Sequence, residues 1–155
     1  MSKRTPYQDR TDLEKLRSQW KKLSGLASRR EASAAVVRAA TAAEIAANFA
    51  IRREFASRSS FDSAFVDSLL KWANGIAGKI EKLLIPLHEG RKSYANVKRL
   101  KSLAAALNSK RNAIVHQGEF CNPTDVDTML VKARDFIETL VHLYEPTFSL
   151  DKEAL

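Results

Sequence analysis

Apolar side chains recur along this chain at steps of three and four residues, the spacing that lines one face of an α-helix, and nowhere in the strict alternation of a half-buried strand. Leu13, Leu16, Trp20 and Leu23 mark a first helix over residues 11–24, with Thr11 or Asp12 as its cap and Gly25 at its end. A second helix is predicted over residues 30–56. Its Val36, Val37, Ala39, Ala40, Ala43, Ala46, Ala47, Phe49, Ala50 and Ile51 leave little polar surface, so it belongs at the centre of a bundle, where alanines let neighbours approach closely.

Ser57-Arg58-Ser59-Ser60 breaks the pattern. A third helix then follows on Phe61, Phe65, Leu69, Trp72, Ile76, Ile80 and Leu83 or Leu84, ending before Pro86, with Gly75 and Gly78 marking a close contact inside it. Residues 86–92 read as a loop. A fourth helix begins near Ser93, carries Val97, Leu100, Leu103, Ala104 and Leu107 on one face, and is interrupted or kinked at Asn108-Ser109. Gly118 to Pro123 form a turn before a last helix over residues 124–144, built on Val126, Met129 or Leu130, Ala133, Phe136 or Ile137, and Leu140 or Val141. The fold class expected is all-α: one domain, a bundle of five to six helices over residues 11–145, between a flexible basic tail (1–10) and a C-terminal tail (146–155).

A chain of 155 residues can bury roughly two-thirds of the surface it exposes when unfolded, so a real core is expected. The single cysteine, Cys121, excludes an intramolecular disulfide, and no CxxC or Cys/His spacing offers a zinc site. Neither metal nor other cofactor is expected, and a reducing, cytoplasmic setting is. No apolar run approaches the ~20 residues of a membrane span and the first residues lack a signal-like apolar stretch, so a membrane is not among the expected partners.

Charge adds more. The formal net charge is +8, with 13 Lys/Arg against 6 Asp/Glu in residues 1–60 and 13 against 12 in residues 61–155. Residues 90–118 hold Arg91, Lys92, Lys98, Arg99, Lys101, Lys110 and Arg111 without any acid. That stretch predicts a positive potential suited to a polyanion, with RNA as the partner and Arg91, Lys92, Lys98, Arg99, Lys101 and Lys110 as its contacts.

Within it, Arg111 and His116 place an always-charged phosphate ligand near the one side chain that titrates close to neutrality. Such a pair suits transesterification of RNA without a metal. Imidazole handles the proton at the 2′-hydroxyl or the leaving 5′-oxygen, and guanidinium stabilises charge building on phosphorus. On a regular helix Asn112 and His116 share a face, whereas Arg111 lies about 140° from His116. Convergence therefore requires a helix start or kink, capped by Asn108-Ser109, or two copies of the motif meeting across a symmetric dimer.

The string Arg111-Asn112-x-x-x-His116, in the last third of a helical chain and before one final helix, resembles the Arg-x4-6-His signature of the HEPN superfamily (higher eukaryotes and prokaryotes nucleotide-binding domains). The resemblance covers the chain from about residue 30 onward. It implies a homodimeric, metal-independent endoribonuclease, a toxin or phage-defence effector with its site at the dimer interface and an antitoxin or defence-system protein as a further partner. Carried over, Arg111 and His116 are catalytic, and Asn112 positions His116 or the phosphate. Many paired-toxin members carry a Tyr two residues beyond the His that a partner nucleotidyltransferase modifies, whereas this chain has Gly118 there. Other members bind nucleotides or proteins without cutting, which makes a non-catalytic binding module the alternative function.

Two residues of the second helix are candidates for support. Glu44 lies in an alanine-rich stretch where a carboxylate needs a partner, and either Arg111 supplies it or Glu44, Asn48 and Arg52 form a polar stripe with water access. His88 and His142 read as ordinary surface residues, and Trp20, Trp72 and the phenylalanines as core.

Overall fold

A computed structural model describes residues 4–73 and 75–151, and among these there are six helices and no strand. We label them α1 (Asp12–Ser28), α2 (Ala32–Arg58), α3 (Ser63–Trp72), α4 (residues 76–88), α5 (Tyr94–Gln117) and α6 (Pro123–His142). Every other helix packs on α2. The reason lies in its small side chains: Ala35, Ala39, Ala40, Ala42, Ala43, Ala46, Ala47 and Ala50 are all buried, over nearly half of the helix circumference. By length and composition α2 could cross a membrane, with a mean hydropathy of 1.3, which amends the expectation that no stretch approaches that size. Here 61% of that apolar window is covered by the bundle.

Local chemistry sets the ends. Thr11 caps α1 reciprocally: its Oγ1 accepts from the Glu14 N–H at 3.3 Å while Glu14 Oε2 accepts from the Thr11 N–H at 2.8 Å. The helix runs past Gly25 to Ser28 and turns at Arg30, whose φ of +60° ends it in the left-handed region. Consequently α2 starts at Ala32 and not at Arg30. Asn122 and Asp125 form a second capping box at the start of α6, just ahead of Pro123.

The predicted third helix is two helices. Gly75, with φ +78°, breaks it, and α4 then contains a π-helical turn over Lys79–Leu84 before continuing through Pro86 to His88. The wide turn, closed by the Ile85 N–H on the Ile80 carbonyl, relieves the clash that a proline ring makes with the carbonyl four residues earlier in a regular helix. The face also differs from expectation. Val66 and Leu70 are the buried residues of α3, while Phe61, Phe65 and Trp72 point outward, Trp72 being 84% exposed. Lying at the bundle's edge, α3 buries only one narrow stripe.

At both ends of the chain the expected tails are packed where described. Tyr7–Asp9 form a 3-10 turn, and Arg10 reaches the Thr5 carbonyl at 3.0 Å and Ser18 Oγ at 3.2 Å. Phe148 and Leu150 are buried against the core.

Crowding around α2 yields a direct test. Ala43→Leu should cost about 1–3 kcal/mol in a denaturant titration, since added methylenes in a close-packed interior force strain. Ala56→Leu, on the exposed end of the same helix, should stay within about 0.5 kcal/mol of the parent.

Candidate functional site

Asn108 and Ser109 do not interrupt α5, which continues regularly to Gln117 and ends at Gly118, where φ +67° lets the Glu119 N–H reach the Ala113 carbonyl at 3.1 Å. Two polar residues do not outweigh the burial of Val97, Leu100, Ala104 and Leu107 ahead of them, and the helix-favouring residues that follow carry it on. Arg111 and His116 therefore sit about 140° apart on one unbroken helix. Arg111 follows the buried Ala104 and Leu107 at steps of seven and four, placing it half-buried on the bundle side. His116 is exposed and makes no hydrogen bond among the described residues. Asn112 bonds Arg111 rather than His116: its Oδ1 accepts from Arg111 Nη1 at 3.4 Å. Within one chain the motif does not assemble.

Glu44 is paired, though not with Arg111. Its Oε1 accepts from Lys79 Nζ at 2.9 Å, and this ion pair buries the lysine almost completely. Arg52 turns away from Glu44 to Asp12 at 2.6 Å and Asp67 at 3.0 Å. Between α2, α3 and α4 these groups line a cavity of about 440 Å³ that also holds Asn48. The Asn48 Oδ1 is buried there without a hydrogen-bond partner. Neither Arg111 nor His116 lines that cavity.

The acid-free stretch is acid-free only along the sequence. Arg91 bonds Glu54 at 2.8 Å, Arg99 grips Asp135 through two bonds of 2.8 and 3.1 Å, Lys101 meets Glu81 at 3.3 Å, and Lys110 meets Glu119 at 2.5 Å. Lys98 lies over the Tyr94 ring, 5.8 Å from its centroid. Of the six predicted RNA contacts, only Lys92 and Lys98 face no carboxylate among the described residues. Packing has supplied from α2, α4, α6 and the α5–α6 turn the acids that the segment lacks.

His88, expected at the surface, is fully buried and is the best-connected imidazole in the molecule. Its Nδ1 meets Ser93 Oγ at 2.6 Å and its Nε2 meets the Tyr144 hydroxyl at 2.8 Å. That hydroxyl donates in turn to Glu54 Oε1 at 2.6 Å, so the ring carries its proton on Nε2 and accepts at Nδ1. Glu54, 2% exposed, is further held by Arg58 and Arg91. Burial pushes the His88 ring below its ordinary pKa despite the nearby carboxylate. Burial raises Glu54, but hydrogen bonds from Tyr144 and Arg91 outweigh it and hold the carboxyl below the usual range. Burial and the bond to Glu54 push the Tyr144 phenol well up, so it remains a donor. The network ties α2, α4, α5 and the end of α6 together and has no opening for a substrate at His88. Sequence reading singled out Glu44 for its alanine neighbours, whereas the buried carboxylate is Glu54, ten residues further along the same helix, whose flanking Arg52, Arg53 and Arg58 gave no sign of burial.

Both shifts act on stability in the same direction. An imidazole whose folded pKa lies below the unfolded 6.5 binds its proton more readily in the unfolded chain, so stability falls as pH drops below about 6.5. Glu54 adds a further loss as pH falls through its depressed folded value, below 4.5. Thermal midpoints recorded across pH 4–8 should therefore decline on the acid side, and His88→Gln should flatten the decline near pH 6. Glu54→Ala at pH 7 should cost about 3–5 kcal/mol, because two guanidiniums and a phenol lose their acceptor.

No protein-family model matches this chain, nor does any curated protein or solved structure. The functional reading therefore stands on side-chain geometry and on the resemblance carried by Arg111, Asn112 and His116.

Proposed function

We propose that this chain is a metal-independent endoribonuclease whose site is completed by a second copy of itself. One observation carries the reading. Among the described residues, Arg111 is held only by a neutral carboxamide and His116 is exposed without a partner, on the same helix whose other cations are mostly neutralised by acids. A two-fold axis beside the C-terminal turns of α5 would bring the His116 of each copy toward the Arg111 of the other. Val115 and Phe120, both exposed, supply apolar surface for that contact.

In such a cleft one imidazole takes the proton of the 2′-hydroxyl as its oxygen attacks phosphorus. Arg111 of the other copy stabilises the charge on the phosphorane, and the imidazolium so formed passes its proton to the departing 5′-oxygen. The bond formed is 2′-O–P and the bond broken is P–O5′, giving a 2′,3′-cyclic phosphate and a 5′-hydroxyl. DNA lacks the nucleophile. The resemblance adds a toxin or host-defence role inside the cell, held in check by a partner protein.

A second reading, a non-catalytic RNA-binding module, is favoured by the 140° that separates Arg111 from His116 within one chain. Subunit mixing separates the two. Purified protein in excess EDTA should cut RNA and leave cyclic phosphate ends, while His116→Ala and Arg111→Ala each lose at least about 100-fold, the range of a lost acid–base or charge-stabilising group. Mixing the two inactive variants should restore part of the rate, because the mixed dimer holds one intact composite site. RNA binding with no cleavage under any of these conditions would leave the second reading.

A further inference from the structure

The N-terminal segment, α1 and the first turns of α2 enclose a groove of about 630 Å³ whose lining includes Arg4, Arg10, Lys22, Arg29 and Arg38 around Tyr7 and, among the described residues, no carboxylate. The groove lies outside the motif on α5, and its residues were absent from the sequence-based RNA contacts.

Its cations are arranged, not merely abundant. Gln19, 5% exposed, donates from Nε2 to the Tyr7 hydroxyl at 2.7 Å and accepts from Arg38 Nη1 at 2.8 Å. A buried amide thus fixes one guanidinium and one aromatic ring at once. The Tyr7 ring in turn holds Arg10, Lys15 and Lys22, at 5.6, 5.8 and 5.8 Å from its centroid. Arg10 is locked by the Thr5 carbonyl and Ser18 Oγ, both uncharged. Among the described residues, Arg29 pairs with Glu31 at 3.0 Å and Arg10 lies in the field of Glu14. Gathering like charges on neutral supports costs folding free energy through self-repulsion, and a bound polyanion offsets that cost.

We propose that this groove binds the phosphodiester backbone of single-stranded RNA and feeds it toward the end of α5, a reading that rests on the ribonuclease proposal for the identity of the polyanion. The geometry supplies continuity. The Cys121 N–H donates to Ser33 Oγ at 3.2 Å, which seats the turn after α5 on the first turn of α2, between Arg29 and Arg38 in sequence. Ser33 and Arg38 lie about 140° apart around α2, so an RNA strand passes round the start of that helix to run from groove to motif. A lipid surface fits less well, because the large exposed apolar side chains, Phe61, Phe65, Trp72, Val115, Phe120 and Val131, all lie away from the groove lining. A mononucleotide carries too few phosphates for so many cations.

Binding of a short fluorescent single-stranded RNA, measured by anisotropy over a salt series in EDTA, tests this in the His116→Ala background, where cleavage plays no part. Lys22→Gln, Arg29→Gln and Arg38→Gln together should weaken binding at least tenfold and reduce the log–log salt slope by about 2, near 0.7 per lost single-strand contact. The charge-matched set Lys71→Gln, Lys82→Gln and Lys132→Gln should change both far less. The thermal midpoint of Lys22→Gln alone, which removes a charge without touching the Gln19–Arg38 bond, should hold or rise. Should the triple variant fold poorly, Lys22→Gln with Arg29→Gln, both on the exposed surface, gives the same readout. An unchanged slope in the groove variant, an equal loss in the control set, loss of binding to anionic phospholipid vesicles alone, or equal competition by ATP would each overturn the proposal. Absence of cleavage by the parent protein would sink the ribonuclease reading and leave this result standing.

Discussion

Close approach to α2 is the constraint from which the rest of the molecule follows. A helix whose buried positions are mostly alanine brings little bulk of its own, so the larger side chains facing it, Leu16, Leu23, Leu84, Leu100, Leu107, Phe136 and Leu140, must fill the space between the axes. All five other helices reach it as a result. Little room remains for water along its length. The carboxylate that α2 buries, Glu54, consequently takes its compensation from side chains on neighbouring elements. Packing and electrostatics are therefore one problem here, and the Glu54–Tyr144–His88–Ser93 chain is where they are solved together.

That solution decides which cations remain to meet a ligand. Arg91, Arg99, Lys101 and Lys110 look available along the sequence and are consumed by acids brought close in space. Among the cations left over in the described residues, two groups stand out: the end of α5, where Arg111 has a carboxamide, and the groove beside Tyr7, where the supports are mainly neutral. An excess of positive charge is weak grounds for a nucleic-acid site until the partners of each cation are known. Local neutrality of those partners is the stronger signal.

Much of the scaffold was legible in the sequence. The period of Leu13, Leu16, Trp20 and Leu23, the alanine run of α2 and the turn at Gly118 each combine propensity with pattern, and the all-helical bundle follows. What failed to read were places where two local signals compete. In α3 the larger stripe, Phe61, Phe65 and Trp72, faces out because the helix lies at the edge and only the narrower Val66–Leu70 side meets the core. Asn108 and Ser109 looked like a break, yet the burial of Ala104 and Leu107 before them carries the helix through. Pro86 looked like a stop, and the π-helical turn absorbs it. The Glu54 network was invisible because its members, at positions 54, 88, 93 and 144, are joined only by tertiary packing.

The unbroken course of α5 has a consequence for any chemistry at its end. A kinked helix could have gathered guanidinium and imidazole in a single chain, whereas a straight one holds them on different sides permanently, since rotating either side chain does not remove an angle set by the backbone. On the proposed reading, function at Arg111 and His116 would be coupled to association: an isolated chain would be inactive, and any surface that displaced the second copy would switch the site off without touching a reacting group. Regulation by competition for that surface would require no modified residue, in keeping with Gly118 at the position where the toxins that the motif resembles carry a tyrosine. The groove beside Tyr7 is independent of that coupling, because each copy builds it alone from its own N-terminal segment, α1 and α2. In the proposed scheme RNA capture and RNA cutting would therefore be separable, the first belonging to the monomer and the second to the pair.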